Sequence, residues 1–414
     1  MDRFAFERRQ LDNGLTLHTH FRDVEFAQVN MCIPVGSIHS VEPHRNGAFH
    51  FLEHVVGIRS ELYPGWREYE KFVALNGGST YAGTGSDSST FNVRIPSRLF
   101  RDGLKGFLAQ IFEPVISEAD VRHESGAIIN ERMSKRRYWP AQEEIGGYLW
   151  RKWMNLETTS LDQVFGSISD LREMSSEDIL KALECYQASK NIHILVGGNF
   201  ELDFLCSELE NISLGQDVLP DKKYQSIHWV NREFHEVEIG KDDRYVYLIG
   251  GILPSLSEET SFALDFIDRL LTNPWVGMLY RWLREEKDWA YSIGFSHSTY
   301  VDRLMWHLDI PLRDREHVEI VRSELRDKIV VTLKDEKIVR QAINQYKNSS
   351  VFWYENLDNL LKYGGTTITR FGRTYSQAGD FEMIDRFSDT TYLMEVFEKC
   401  FSPEVTGEIL TLPK

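Results

Sequence analysis

His50-Phe51-Leu52-Glu53-His54 sets two histidines four residues apart, with a glutamate beside the second. On a helix, residues i and i+4 share a face, so both imidazoles can reach one metal ion. Glu53 stands where its carboxylate can take a proton from a water activated at that ion. The chemistry implied is metal-assisted hydrolysis. A surface helix with two solvent-facing histidines is the plain alternative, and the flanks oppose it. Ala48, Phe49, Phe51, Leu52, Val55 and Val56 make the segment apolar nearly all round, and such a helix is buried. Buried imidazoles and carboxylates need partners, because unpaired polar burial is costly. One metal ion satisfies all three side chains.

Catalytic zinc usually takes three protein ligands, so His50 and His54 leave the set incomplete. The stretch His123 to Glu131, with Glu124 and Glu131, offers the third. These two glutamates lie seven residues apart, two helical turns, and so share a face. Ala127, Ile128 and Ile129 between them read as core. Taken alone, the two glutamates would be ordinary solvated carboxylates.

In these residues the chain resembles the pitrilysin/insulinase family of zinc metallopeptidases, the inverzincins, whose H-x-x-E-H reverses the zincin motif H-E-x-x-H. As in that family, 76 residues separate His54 from Glu131, and Glu124 precedes Glu131 by seven. The resemblance implies that His50, His54 and Glu131 hold one zinc ion per chain. It implies that Glu53 is the general base and that Glu124 supports a ligand from behind. Leu283-Arg284-Glu285-Glu286-Lys287-Asp288-Trp289-Ala290-Tyr291-Ser292 is similar to the family segment L-R-E-x-x-G-L-A-Y-S. By that likeness Arg284 and Tyr291 face the zinc from the second domain. Arg284 would hold a substrate carbonyl or carboxylate, and Tyr291 would stabilise the oxyanion. Leu11-Asp12-Asn13-Gly14-Leu15 resembles the family's opening, an Asn-Gly turn into the first strand.

Two segments depart from the pattern. Gly77 to Thr84 stands where the family has G-G-x-x-N-A-x-T, a strand edge that binds substrate by strand addition. Ser79, Thr80, Tyr81, Ala82, Gly83 and Thr84 are therefore the expected substrate strand. Tyr81 replaces the asparagine, which leaves backbone pairing intact and bears on selectivity. Asp288-Trp289 replaces Gly-Leu. A glycine there serves a turn, so a different local backbone is expected.

The elements that must carry these residues form two similar halves. Phe91, Val93 and Ile95 alternate, Pro96 ends the run, and a helix begins near Leu99; Trp306, Leu308 and Ile310 alternate, Pro311 follows, and a helix begins near Glu316. Val29 to Val35 and Tyr245 to Ile252 form a second strand-like pair at a similar offset. The fold class is thus α+β, with two homologous domains, each a mainly antiparallel sheet with helices packed on one face. The polar, Gly- and Pro-bearing stretch 214–227 reads as a linker. Residues 1–213 form the expected zinc-binding catalytic domain and 228–414 the expected substrate-binding domain. By the resemblance the two make half of a clamshell, as in mitochondrial processing peptidase subunits and their bacterial homologues. Chains of this kind usually dimerise, with themselves or with a related inactive subunit.

The sequence carries 47 basic and 63 acidic residues, a net charge of −16. Nucleic acid is thereby a poor partner, since phosphate binding needs a basic footprint. With no run of 18 apolar residues, no membrane partner is expected. Met1 to Arg9 lacks a secretory apolar core, and Cys32, Cys185, Cys206 and Cys400 are scattered without a C-x-x-C pair. Reduced thiols and a cytoplasmic location are expected. His18, His20, His39 and His44 show no ligand spacing and read as structural or exposed. Tyr138-Trp139-Pro140 reads as a helix end packed by aromatics, and Phe352-Trp353-Tyr354 with Tyr363-Gly364-Gly365 as core and turn. The function expected is endopeptidase action on peptides or unfolded segments within a closed chamber. Maturation of a ribosomally made precursor peptide is the alternative, and a non-catalytic scaffold is the third reading.

Overall fold

Apolar residues at alternate positions, Val29 and Met31 in one strand and Phe91, Val93 and Ile95 in another, give the first sheet its core face. In a computed structural model, residues 2–142, 164–188, 192–215, 221, 233–238, 243–253, 257–300, 303–373 and 376–413 are described. Six strands, β1 (Glu7–Gln10), β2 (Thr16–Phe21), β3 (Phe26–Ile33), β4 (Ser79–Thr84), β5 (Ser89–Pro96) and β6 (His193–Gly198), pair in the order β1-β2-β6-β3-β5-β4. The second sheet comprises β7 (His235–Glu238), β8 (Tyr245–Leu253), β9 (Gly294–Tyr300), β10 (Arg303–Leu312) and β11 (Thr406–Leu412), in the order β7-β11-β8-β10-β9. The duplication read from the sequence extends to strand sense. β2 and β6 are parallel, as are β7 and β11, whereas β6-β3-β5-β4 and β11-β8-β10-β9 are antiparallel throughout.

Helices α1 (Ala48–Val56), α2 (Glu68–Leu75), α3 (Phe100–Phe112), α4 (Glu118–Gln142), α5 (Ile168–Glu173), α6 (Ser176–Tyr186) and α7 (Leu202–Glu210) belong to the first half of the sequence. Helices α8 (Glu258–Thr272), α9 (Arg315–Lys334), α10 (Glu336–Glu355), α11 (Leu357–Phe371), α12 (Gln377–Arg386) and α13 (Thr390–Phe401) belong to the second. Val29, Met31, Val93 and Ile95 point to one face of the first sheet, where Gly103 of α3 lies against Ile95 and Tyr186 of α6 packs on Phe91. In the second sheet Trp306, Leu308 and Ile310 are buried in the same way, and the Trp306 indole N–H donates to the Cys400 carbonyl at 3.0 Å.

One feature goes beyond the expected single helical layer. Helix α11, from the second half of the sequence, covers the other face of the first sheet, against β3 and β6. Gly364-Gly365 is not a turn. It lies inside α11, where a Cβ on Gly365 would sit 2.4 Å from Cys32 Sγ and one on Gly364 would sit 2.9 Å from Leu195. Absent side chains let the helix backbone close onto the sheet. The chain accordingly divides into two units: Met1–Arg136, Thr158–Tyr224 and Trp353–Gln377 in one, and Arg137–Glu157, Gln225–Phe352 and Ala378–Lys414 in the other. A cut at 213/228 in sequence does not follow these units, because each takes a segment from the opposite half. Most of the expected linker, and the side chains of Tyr138, Trp139 and Pro140, lie outside the described residues. Tyr354 is buried as expected, whereas Phe352 is 81% exposed. Among the described residues no helix is long and apolar enough to cross a membrane.

Candidate metal centre

Gly47 fixes the entry to α1. It takes a φ of 81°, and a Cβ there would lie 2.2 Å from the Phe165 carbonyl oxygen. The helix then buries Ala48, Phe49, Phe51, Leu52, Val55 and Val56 almost completely, so His50, Glu53 and His54 occupy the remaining stripe. His50 is itself buried, its ring 4.4 Å from that of Phe165 and 4.9 Å from that of His54. The second wall is α4. Val121, Glu124, Ile128 and Arg132 form its buried stripe, which turns Glu131 toward α1. Ala127 is exposed, contrary to its expected place in the core, because position 127 falls off the 121–124–128–132 stripe.

The expected ligands meet. Nε2 of His54 lies 3.2 Å and Nε2 of His50 4.0 Å from Glu131 Oε2. One donor atom from each of the three lies within 4.8 Å of the other two. A tetrahedral zinc ion about 2.0–2.1 Å from each donor requires donor separations of about 3.3 Å. The observed distances bracket that value, so two imidazoles and one carboxylate fit the ion with small side-chain adjustment. Glu124 stands behind, Oε2 accepting from His54 Nδ1 at 3.3 Å. That contact commits Nδ1 to the carboxylate and leaves Nε2 to face Glu131, the arrangement a metal-binding histidine needs.

Electrostatics link the side chains of the cluster. Burial opposes a charge on His54, yet hydrogen bonds to Glu124 and Glu131 and the nearby Glu53 lift its pKa to about 9. Burial likewise pushes the Glu124 carboxyl up, but His54 and Arg67 outweigh it and hold the group below its ordinary value. Both shifts describe a site that draws positive charge into a buried pocket.

Glu53 is tied to the expected substrate strand. The Thr84 hydroxyl donates to its Oε2 at 2.8 Å. β4 is the last strand of its sheet, with Ser79 to Thr84 paired on one side to β5. Thr80 and Ala82 border a cleft of about 250 Å³ that reaches Glu53 and His54. Ser79, Tyr81 and Gly83 alternate to the face toward α11; Tyr81 is 60% exposed, its ring 5.7 Å from the Lys362 ammonium.

Arg284 and Tyr291 also come together, within the second unit. Arg284 lies in the last turn of a π-helical segment (Tyr280–Glu286) and donates to the Tyr291 carbonyl at 2.9 Å. Its guanidinium lies 4.2 Å from the Tyr291 ring and 5.0 Å from that of Tyr280. Tyr291 is 74% exposed. Asp288, where the family pattern has glycine, takes a left-handed φ of 54°. Trp289 stacks on His317 at 4.2 Å, and its backbone N–H bonds the Leu283 carbonyl at 2.8 Å.

His18, His20, His39 and His44 are all buried, so the structural half of their expected description holds and the exposed half does not. Sequence reasoning missed Arg67, which contacts Glu124. Its pairing partner is 57 positions away, and no local motif marks it.

His50, His54 and Glu131 on two helices, with Glu53 of α1 bonded to the edge strand through Thr84, form a cluster able to hold a metal ion. Two stretches of the chain match models of one peptidase family. Residues 17–158 match Insulinase (Peptidase family M16), and residues 173–349 match the Peptidase M16 inactive domain. The chain belongs to peptidase family M16, and His50, His54, Glu124 and Glu131 all fall in the first of these segments. An uncharacterized zinc protease of Rickettsia felis is 21% identical over 98% of this chain and 97% of that protein. A nardilysin-like protein of Arabidopsis thaliana is 23% identical over 65% of the chain, a match that takes in only 27% of that longer protein. A protease from Helicobacter pylori shares the fold at a TM-score of 0.77, with 17% identity and 99% of each chain covered.

Proposed function

We propose that this chain is a zinc-dependent endopeptidase. The observation that carries the reading is the convergence of His50, His54 and Glu131, with Glu53 beside them and Glu124 behind. When bound, zinc supplies Lewis acidity that polarises a carbonyl and acidifies a water. Glu53 accepts the proton of the attacking water and returns it to the leaving amine nitrogen. Glu124 holds the His54 ring so that Nε2 stays aimed at the ligand cluster. A peptide lies as an added strand along the free edge of β4, which sets its backbone beside Glu53 through Thr84. Such a pose admits short peptides or unfolded segments. The roles of Tyr291 toward the oxyanion and Arg284 toward a substrate carbonyl rest on the family resemblance, and so does operation as a dimer.

The test is mass spectrometry of a peptide library incubated with wild type, with chelated wild type and with Glu53→Gln. Chelator-sensitive cleavage by wild type is expected. The loss in Glu53→Gln should be roughly 100- to 10,000-fold, the usual contribution of a general base, with zinc retained. Cleavage by Glu53→Gln at the wild-type rate would overturn the assignment.

A further inference from the structure

Arg67 occupies a backbone conformation that side chains resist. Its φ of 48° and ψ of 38° are left-handed, at the residue that precedes α2. Only glycine enters this region freely, and nothing in the local chain demands an arginine. Strain of this kind persists where the surrounding structure enforces it, and it concentrates at functional sites.

The conformation places the guanidinium between two carboxylates. Nη1 donates to both oxygens of Glu70, at 3.1 and 2.9 Å. Nη2 donates to Oε1 of Glu124 at 3.3 Å. The other oxygen of Glu124 takes the His54 Nδ1 contact, also at 3.3 Å. A continuous relay therefore runs from Glu70 through Arg67 and Glu124 to His54. Each end of the Glu124 carboxylate is fixed by a different cation or donor.

Metal coordination makes Arg67 necessary. A histidine that binds through Nε2 is neutral and keeps its proton on Nδ1, so it can orient Glu124 but not neutralise it. Glu124 is 3% exposed. A buried carboxylate without a countercharge is costly, and Arg67 is the cation that touches it. We infer that Arg67 is a positioning residue for the metal centre: its guanidinium clamps Glu124, and Glu124 in turn holds His54 for the ion. This inference rests on the zinc reading above.

The test uses the strain itself. Arg67→Gly removes the guanidinium and relieves the left-handed backbone. Metal-free Arg67→Gly should therefore melt no lower than wild type, while its zinc affinity, measured by competition with a chromophoric chelator, falls roughly 10- to 100-fold. Glu124→Gln should fall similarly, and Arg67→Gly/Glu124→Gln should lie within about twofold of Glu124→Gln alone, because both act through one relay. Arg67→Lys should be intermediate, since one ammonium cannot span Glu70 and Glu124 as the planar fork does. Zinc binding by Arg67→Gly within twofold of wild type would overturn the inference. So would multiplicative losses in the double variant, or a melting temperature that drops with the affinity, which would mark Arg67 as a fold residue. A wild-type chain that takes up no zinc would instead sink the metal reading beneath it.

Discussion

Thr84→Val is a near-isosteric change that deletes one hydroxyl. In the structure that hydroxyl donates to Glu53 Oε2 at 2.8 Å and ties the end of β4 to the proposed base. A hydrogen bond from a neutral donor to a charged carboxylate contributes roughly 1.5–3 kcal/mol net. Glu53 is only part-buried, so water recovers some of that and the lower end applies. About 1.5 kcal/mol corresponds to about tenfold in rate. The loss should fall on kcat, because the strand edge that binds peptide backbone is unchanged, and KM should stay within about twofold, since uniform binding is not removed. Zinc content should be unchanged, because the Thr84 hydroxyl is bonded to Glu53, which is not one of the proposed ligands. Thr84→Ser, which keeps the hydroxyl, should retain most of the activity. The assay is cleavage of an internally quenched fluorescent peptide, with metal content measured on the same samples. A Thr84→Val enzyme with wild-type kcat would show that the strand does not orient the base. Loss of zinc in that variant would show that the cluster is held differently from the geometry described.

Two predictions concern the fold. Burial, with the neighbouring His193 and Arg8, lowers His18 to about 4, and burial with Arg8 does the same to His193. A base whose folded pKa is depressed contributes stability above its unfolded pKa, near 6.5, and loses it as pH falls toward 4. Urea unfolding should therefore show a marked fall in stability from pH 6.5 to pH 4, and the fall should be smaller in a His18→Gln/His193→Gln variant; equal falls would exclude these two groups as its source. The second is Gly365→Ala, which gains up to about 1 kcal/mol of helix propensity but sets a Cβ 2.4 Å from Cys32 Sγ. Overpacking costs about 1–3 kcal/mol, so the variant should be less stable than wild type by chemical denaturation, and a stabilised variant would mean that α11 does not press on the sheet as described.

Much of this site was legible in the sequence because its signals are local. His50, Glu53 and His54 lie within five residues, and Glu124 and Glu131 within eight, so helical periodicity alone aligns them. Strand alternation and the prolines at 96 and 311 likewise carried the duplicated sheets. What stayed hidden is long-range. Arg67 reaches Glu124 through a left-handed turn that no residue preference announces, and the Thr84–Glu53 bond joins a strand to a helix 31 positions earlier. Helix α11 packs on β3 and β6, which begin 331 and 164 residues before it, so the Gly364-Gly365 pair read locally as a turn. Asp288 shows the converse case, where a glycine is missing and the backbone is nonetheless left-handed.

The central claim is that His50, His54 and Glu131 jointly hold zinc, and elemental analysis of the purified chain tests it most directly. Wild type should contain one zinc per chain, released by a chelator and restored by added zinc. His50→Phe and Glu131→Gln should lack it while keeping their secondary structure by circular dichroism, and Glu53→Gln should retain it. A folded His50→Phe or Glu131→Gln chain that still carries one equivalent of zinc would contradict the account.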